Sequence, residues 1–306
     1  MTGHSPFAGV QRRTFLGAVA TSSAALSARV DAADPIPTIK LGDYQVTRLI
    51  AGYNPIGGYS HSVPKLSAIM RNWFTEERTT EFLLNCEKAG INTWQASYDP
   101  KAFAALRKAR EKGSKLQWIC LIPDVTPEQW KEIVALKPIA VVHHGEATDR
   151  LWKSGYQDAK KIGAFVQKVK DFGLLAGVSS HNPEIILRAE EEPWKHDFYM
   201  NCFYNIRRDQ ASLNEQLTDL PIDELYLKND PHRMTKAMRT VTRPCLGFKI
   251  LAAGRKAKNA DEVKAAFEYA FSRIKTEDAV IVGMFPILTD EVAENASIVR
   301  GLLSNA

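Results

Sequence analysis

The chain has 306 residues, with 40 Lys and Arg against 35 Asp and Glu and a formal net charge of +5. No basic cluster with interleaved aromatics occurs, which excludes nucleic acid as a partner. With 45% hydrophobic residues, a chain of this length buries a core without covalent staples.

The first 33 residues read as a leader, not as part of the fold. Gln11-Arg12-Arg13-Thr14-Phe15-Leu16 matches a twin-arginine export motif, with Gln11 where Ser or Thr is usual. A mild Ala-rich stretch over 17–28 and a small-residue cleavage site at Val30-Asp31-Ala32 follow in order. The stretch is too short to persist as a stable membrane anchor. The reading implies the twin-arginine machinery as a partner and a periplasmic or otherwise extracytoplasmic destination. Losing Arg12, Arg13, Arg29 and Asp31 takes the formal charge from +5 to +3. A chain exported folded can carry with it a cofactor loaded in the cytoplasm.

Residues 34–306 alternate strand-like and helix-like segments. Strands are expected at 46–51, 92–96, 116–122, 139–143, 174–178, 198–203, 244–251 and 279–282. Helices are expected at 79–89, 101–112, 127–136, 156–171, 183–190, 259–274 and 290–302. Pro127 marks a first turn, Gly173 a C-cap, and Asp261 with Glu262 an acidic helix start. The longest connection, 206–243, has room for a helix at 225–228 and a lid segment at 232–239. This alternation predicts an α/β fold, a (β/α)8 TIM barrel, over 34–306. A doubly wound open sheet would want a helix directly behind a Gly-rich first turn. Here Gly57-Gly58 is followed by Tyr59-Ser60-His61 and a long polar segment. Cys86, Cys120, Cys202 and Cys245 form no C-x-x-C pair and are expected as buried core residues.

In a parallel barrel the strand C-termini converge on one mouth. Those positions carry Tyr53 and Asn54, Gln95, Tyr98 and Asp99, His143 and His144, Ser179 to His181, Asn201, and Lys249. His143 and His144 are adjacent on a strand, so only one faces the axis. His144, directly before Gly145, is the candidate. Lys249 is expected mid-strand, where a lysine is tolerated only if it reaches a polar lumen. No His-x-His spacing occurs, and no metal site is expected.

Gly90-Ile91-Asn92, Val142-His143-His144-Gly145, Gly177-Val178-Ser179-Ser180-His181 and Phe248-Lys249-Ile250-Leu251-Ala252-Ala253-Gly254-Arg255, with Glu294-Asn295, stand in a telling order. In order and spacing these segments resemble the aldo-keto reductase superfamily. The resemblance implies a nicotinamide cofactor, NAD(P)H. Phe248 would stack on its ring, and Ser179, Ser180 and Asn201 would hold its carboxamide. Gly254, behind Ala252 and Ala253, would let backbone amides approach the pyrophosphate, with Arg255 adding charge. Glu294 and Asn295 would lie at the adenine end. No Lys or Arg occurs between Met284 and Glu294, so a 2′-phosphate would lack a counter-charge.

The catalytic set departs from the family. Gln95 stands at the Asp position, Pro100 at the Tyr position with Tyr98 nearby, and Leu121 or Ile122 at the Lys position. His144 is kept. The expected catalytic residues are therefore His144, Tyr98 and Lys249, with Asp99 as the partner charge of Lys249. The expected function is a divergent oxidoreductase acting on a carbonyl or sugar-like small molecule. The alternatives are a non-redox sugar lyase, isomerase or epimerase using His144, Lys249 and Tyr98, and a catalytically silent binding protein. Oligomeric state stays open.

Overall fold

The computed structural model describes residues 34–153, 156–206 and 224–304. The export reading of residues 1–33 lies outside them. Two short strands, β1 (Thr38–Leu41) and β2 (Tyr44–Thr47), form an antiparallel hairpin turned at Gly42, whose φ of 58° is left-handed. The predicted strand over 46–51 is thus two elements: its first residues belong to the hairpin, and the barrel begins at β3 (Leu49–Gly52).

Seven further parallel strands follow: β4 (Thr93–Ser97), β5 (Gln117–Ile122), β6 (Ala140–His143), β7 (Leu175–Ser180), β8 (Phe198–Cys202), β9 (Cys245–Phe248) and β10 (Ala279–Gly283). They close in chain order, β10 pairing with β3 as Ile281↔Ile50 and Gly283↔Gly52. Helices alternate with them: α1 (Asn54–Gly57), α2 (Pro64–Trp73), α3 (Glu76–Lys88), α4 (Pro100–Glu111), α5 (Pro127–Ala135), α6 (Gly145–Lys153), α7 (Tyr156–Asp171), α8 (Pro183–Glu191), α9 (Asp230–Thr240), α10 (Ala260–Phe271) and α11 (Glu291–Leu303). The fold is a (β/α)8 barrel. No helix forms at 225–228; the lid segment at 232–239 is helix α9.

Local chemistry explains the helix starts. Thr126 and Gln129 form a reciprocal capping box at α5, and Asp99, Asn182, Asn259 and Asp290 accept backbone amides at α4, α8, α10 and α11. Strand alternation then builds two apolar layers. Ile50, Ile119, Phe198, Leu246 and Ile281 fill the barrel interior, joined by Ile39, Leu41 and Val46 of the hairpin. The opposite strand faces, with Trp94, Trp118, Val141 and Tyr199, pack under the helices. All four cysteines are free and buried. Among the described residues no helix is long and apolar enough to cross a membrane.

Candidate active site

A cavity of about 400 Å³ opens among residues at the C-terminal ends of the strands. Its first wall comes from β6 and β7. His143 turns outward, packing its ring 4.9 Å from Phe165 and bonding Thr148 Oγ1 at 2.7 Å. His144 turns inward and lines the cavity. The Glu146 backbone amide donates to His144 Nδ1 at 3.3 Å. An amide can only donate, so in the neutral ring the proton sits on Nε2. Burial, with His181 nearby, pushes the His144 pKa down to about 4. At neutral pH His144 is an uncharged hydrogen-bond donor.

His181 is fixed the other way. Its Nδ1 lies 2.8 Å from Asp149 Oδ2, and its backbone amide donates to the same oxygen. Ser180 Oγ donates to Asp149 Oδ1 at 2.5 Å. The carboxylate accepts only, so Nδ1 is the protonated nitrogen and Nε2 carries the lone pair. Burial lowers the His181 pKa while Asp149 opposes it. An aspartate that orients a histidine and supports its protonated form is the arrangement of a general base. Gly145 makes room for it. A Cβ there would lie 2.9 Å from Ser179 Oγ and 3.1 Å from His181 Cε1.

The opposite wall, at β9, holds a closed ionic cluster. Strand β9 ends at Phe248, so Lys249 is not mid-strand; it follows in a left-handed conformation at φ 60°. Its Nζ lies 2.6 and 2.7 Å from the two carboxylate oxygens of Glu224. Tyr204 donates to Glu224 at 2.5 Å, and His61 Nδ1 lies 2.9 Å from it. Asn54 Nδ2 is 3.1 Å from His61 Nε2. Burial pushes the Glu224 carboxyl up, but His61 and Lys249 outweigh it and hold the group well below the usual carboxylate range. Glu224 replaces Asp99 as the partner charge of Lys249. Asp99 instead caps α4 and accepts the Tyr53 hydroxyl at 2.5 Å.

Between the two walls the barrel presents Gln95 and Leu121 to the cavity, neutral residues where the resemblance places an acid and a lysine. Tyr98 does not join His144 and Lys249. Its ring packs on Phe103 and its exposed hydroxyl donates to Glu132 on α5 at 2.6 Å. It cannot reach the cavity without rebuilding that loop.

The residues expected to hold a nicotinamide divide in two. Phe248 and Ser179 line the cavity, and Ser179 Oγ is buried with no partner. These two fit the ring and carboxamide end. The rest do not fit a dinucleotide. Register pairs Ser179 with Met200 and Ser180 with Asn201, so alternation turns Ser180 and Asn201 outward. Ser180 serves Asp149, and Asn201 Nδ2 reaches only Met234 Sδ. Gly254 lines the cavity at φ 84°, but its amide donates to Leu251 O; the amides of Ala252 and Arg255 likewise bond within the turn. Arg255 donates to the Ala252 and Glu224 carbonyls. Glu294 is exposed and bonds Thr289, and Asn295 is buried in α11.

Sequence reasoning missed Asp149, Glu224 and His61 as site residues. Asp149 sits one helical turn past Gly145 on α6, a helix not foreseen. Glu224 meets Lys249 only through tertiary structure. The available signal was the lysine itself, whose position demanded a carboxylate. Among the described residues no group of three or more His, Cys, Asp or Glu is placed to hold a metal ion.

A closed parallel barrel with a cavity at its strand ends defines the class of (β/α)8 barrel proteins, whose ligands bind at that face. Solved structures share this fold at low identity. A truncated 3-deoxy-D-arabino-heptulosonate 7-phosphate synthase from Thermotoga maritima is 12% identical over 89% of this chain and 92% of that one, with a TM-score of 0.52. The glycerol dehydrogenase AKR11B4 from Gluconobacter oxydans is 12% identical over 87% and 90%, with a TM-score of 0.51. The aldo-keto reductase AKR11C1 from Bacillus halodurans is 13% identical over 86% and 91%, with a TM-score of 0.51. The fold is thus common to aldo-keto reductases and to barrels of other chemistry. No protein-family model and no curated protein sequence matches the chain.

Proposed function

We propose that the barrel is an enzyme that moves a proton on a small carbonyl or sugar-like substrate. The observation that carries this is the pair of histidines with opposite fixed tautomers in one cavity wall, His144 with Nε2 protonated and His181 with Nε2 free to accept. His181, oriented by Asp149, takes a proton from the carbon beside a carbonyl or from a hydroxyl. His144 donates a hydrogen bond to the substrate oxygen on which negative charge develops. Being uncharged, it polarises that oxygen without having to lose a proton itself. The cavity volume suits a molecule of sugar size. An isomerase or epimerase that uses no redox cofactor follows from these parts.

A second reading, a nicotinamide-linked oxidoreductase, is favoured by the partnerless Ser179 hydroxyl beside Phe248. In that case His181 would handle the substrate hydroxyl proton. Export through the twin-arginine pathway, carried by Arg12 and Arg13, belongs to the same proposal. It is tested by whether an Arg12→Lys, Arg13→Lys variant stays in the cytoplasm.

The test of function is isotope exchange. The protein is incubated in deuterated water with unphosphorylated ketoses, aldoses and hydroxyketones, and the carbon-bound hydrogens are followed by NMR. Deuterium entering beside the carbonyl, and lost in His181→Asn, supports the first reading. Turnover only with added NAD(H) or NADP(H) supports the second. Neither reaction on any of these substrates would overturn both.

A further inference from the structure

Barrels of this kind hold phosphate groups at the loops after their last two strands. Here those are the loops after β9 and β10, and most of their donors are engaged inside the chain. Lys249 gives its ammonium to both oxygens of Glu224. Arg255 spans the Ala252 and Glu224 carbonyls. The amides of Ala252, Gly254, Arg255, Lys256 and Ala257 bond within their own turn. The Phe285 amide, just past β10, donates to Glu291 Oε2 at 2.7 Å. Glu291 itself lines the cavity from the first turn of α11. Burial raises its pKa, the Phe285 amide opposes this, and Glu294 one turn on adds to the rise. No cation stands among those causes. Among the described residues that line the cavity, Lys249 is the only permanent cation, whereas Glu146, Glu224 and Glu291 bear carboxyl groups.

We infer that Glu291 is a specificity-determining residue: its carboxylate occupies the corner where such barrels seat phosphate, so the cavity takes an unphosphorylated ligand and excludes nucleotide pyrophosphates and sugar phosphates. The physical basis is twofold. A phosphate entering there meets a like charge in a half-buried setting, where charge repulsion is weakly screened. It also meets amides that are already engaged, those of Ala252, Gly254, Arg255 and Phe285, and these are not free to replace its lost water. The inference rests on the cavity being the ligand site proposed above, and it sharpens the substrate class to neutral compounds. It also accounts for the poor fit of the dinucleotide.

The experiment compares wild type, Glu291→Gln and Glu291→Ala as full-length folded protein. The probes are inorganic pyrophosphate and NAD+, and binding is read by calorimetry and thermal shift. Gln keeps the shape and the acceptor for Phe285 but removes the charge; Ala removes both. At neutral pH millimolar pyrophosphate leaves the wild-type Tm unchanged. Both variants bind pyrophosphate roughly tenfold or more tightly than wild type, Ala the more so, because the like charge facing the ligand is gone. Should Glu291→Ala fail to fold, Glu291→Gln carries the test alone. Wild type binding pyrophosphate or NAD+ as tightly as the variants overturns the inference, as does an absence of gain in a folded variant. Because the readout is binding, a failed isotope-exchange assay would remove the reaction and leave the exclusion standing.

Discussion

The two walls of the mouth differ in what they leave open. On the β6–β7 side, Asp149 and the Glu146 amide each engage one nitrogen of a histidine and leave the other for a ligand. Ser179 Oγ beside them has no partner in the chain. On the β9–β10 side the charged and hydroxyl donors of the cluster meet acceptors of the same chain, as does one loop amide: Lys249 and Tyr204 meet Glu224, Arg255 meets carbonyls, and the Phe285 amide meets Glu291. The first wall is arranged for a ligand that exchanges hydrogen bonds and a proton. The second is a structural clamp that happens to stand where related architectures hold phosphate. A polar, charged mouth is therefore not a uniform binding surface; what counts is which atoms remain unengaged.

Breaking the first wall has the largest expected effect. His181→Asn and Asp149→Asn should each lower turnover by roughly 10²–10⁴-fold, the usual contribution of a positioned general base. Steady-state kinetics on the substrate found by exchange checks this, and the two losses should not add, because they remove one unit. Breaking the second wall should cost stability in place of chemistry. Lys249→Met leaves Glu224 buried with only His61 and Tyr204 as partners and should cost about 3–5 kcal/mol in denaturant unfolding. Lys249→Met with Glu224→Leu should recover only part of that loss, because the buried ion pair is gone but the Tyr204 hydroxyl and His61 Nδ1 lose their acceptor.

Gly145→Ala sharpens the comparison at the first wall. Its new Cβ crowds Ser179 and His181 together. It should cost about 1–3 kcal/mol, and it should also impair turnover, which a clamp variant of equal instability would not. The pH dependence has a defined sign. Burial holds His143, His144 and His196 neutral in the folded chain down to a pKa of about 4. The unfolded chain protonates them near about 6.5. Unfolding takes up protons between those values, so stability should fall as pH drops from about 6.5 toward 4. Melting curves across that window check it. His196, buried with neither ring nitrogen bonded, should contribute most clearly, and His196→Phe should flatten the slope. The smallest effect is expected at Ala253, which sits at φ 53°. Ala253→Gly should stabilise by about 1 kcal/mol, because glycine bears left-handed backbone without strain.

The strand order was legible because each barrel strand is an apolar run that ends in glycine or polar chain at the mouth. The β1–β2 hairpin was hidden because Val46 to Ala51 reads as one run, although a bend at Arg48 divides it. In the site, strand alternation separated His143 from His144 using sequence alone. It applied equally to Ser179 and Ser180, where the resemblance suggested a joint role. Lys249 was readable as a residue in need of a carboxylate, but its partner was not. Sequence proximity offered Asp99 beside Tyr98, whereas the chain brings Glu224 across from the β8–β9 connection. Tyr98 misled for a related reason: nearness to a catalytic position in sequence says nothing of the loop path, and Glu132 holds its hydroxyl outside.

Proton transfer in this cavity requires its two wall histidines to hold opposite tautomers at neutral pH. Two-dimensional NMR of the imidazole nitrogens in 15N-histidine-labelled protein, assigned with His144→Gln and His181→Asn, reads this directly. The expected result is a neutral ring at both positions, with His144 protonated on Nε2 and His181 on Nδ1. The same tautomer at both, or a doubly protonated His144 at pH 7, would contradict it.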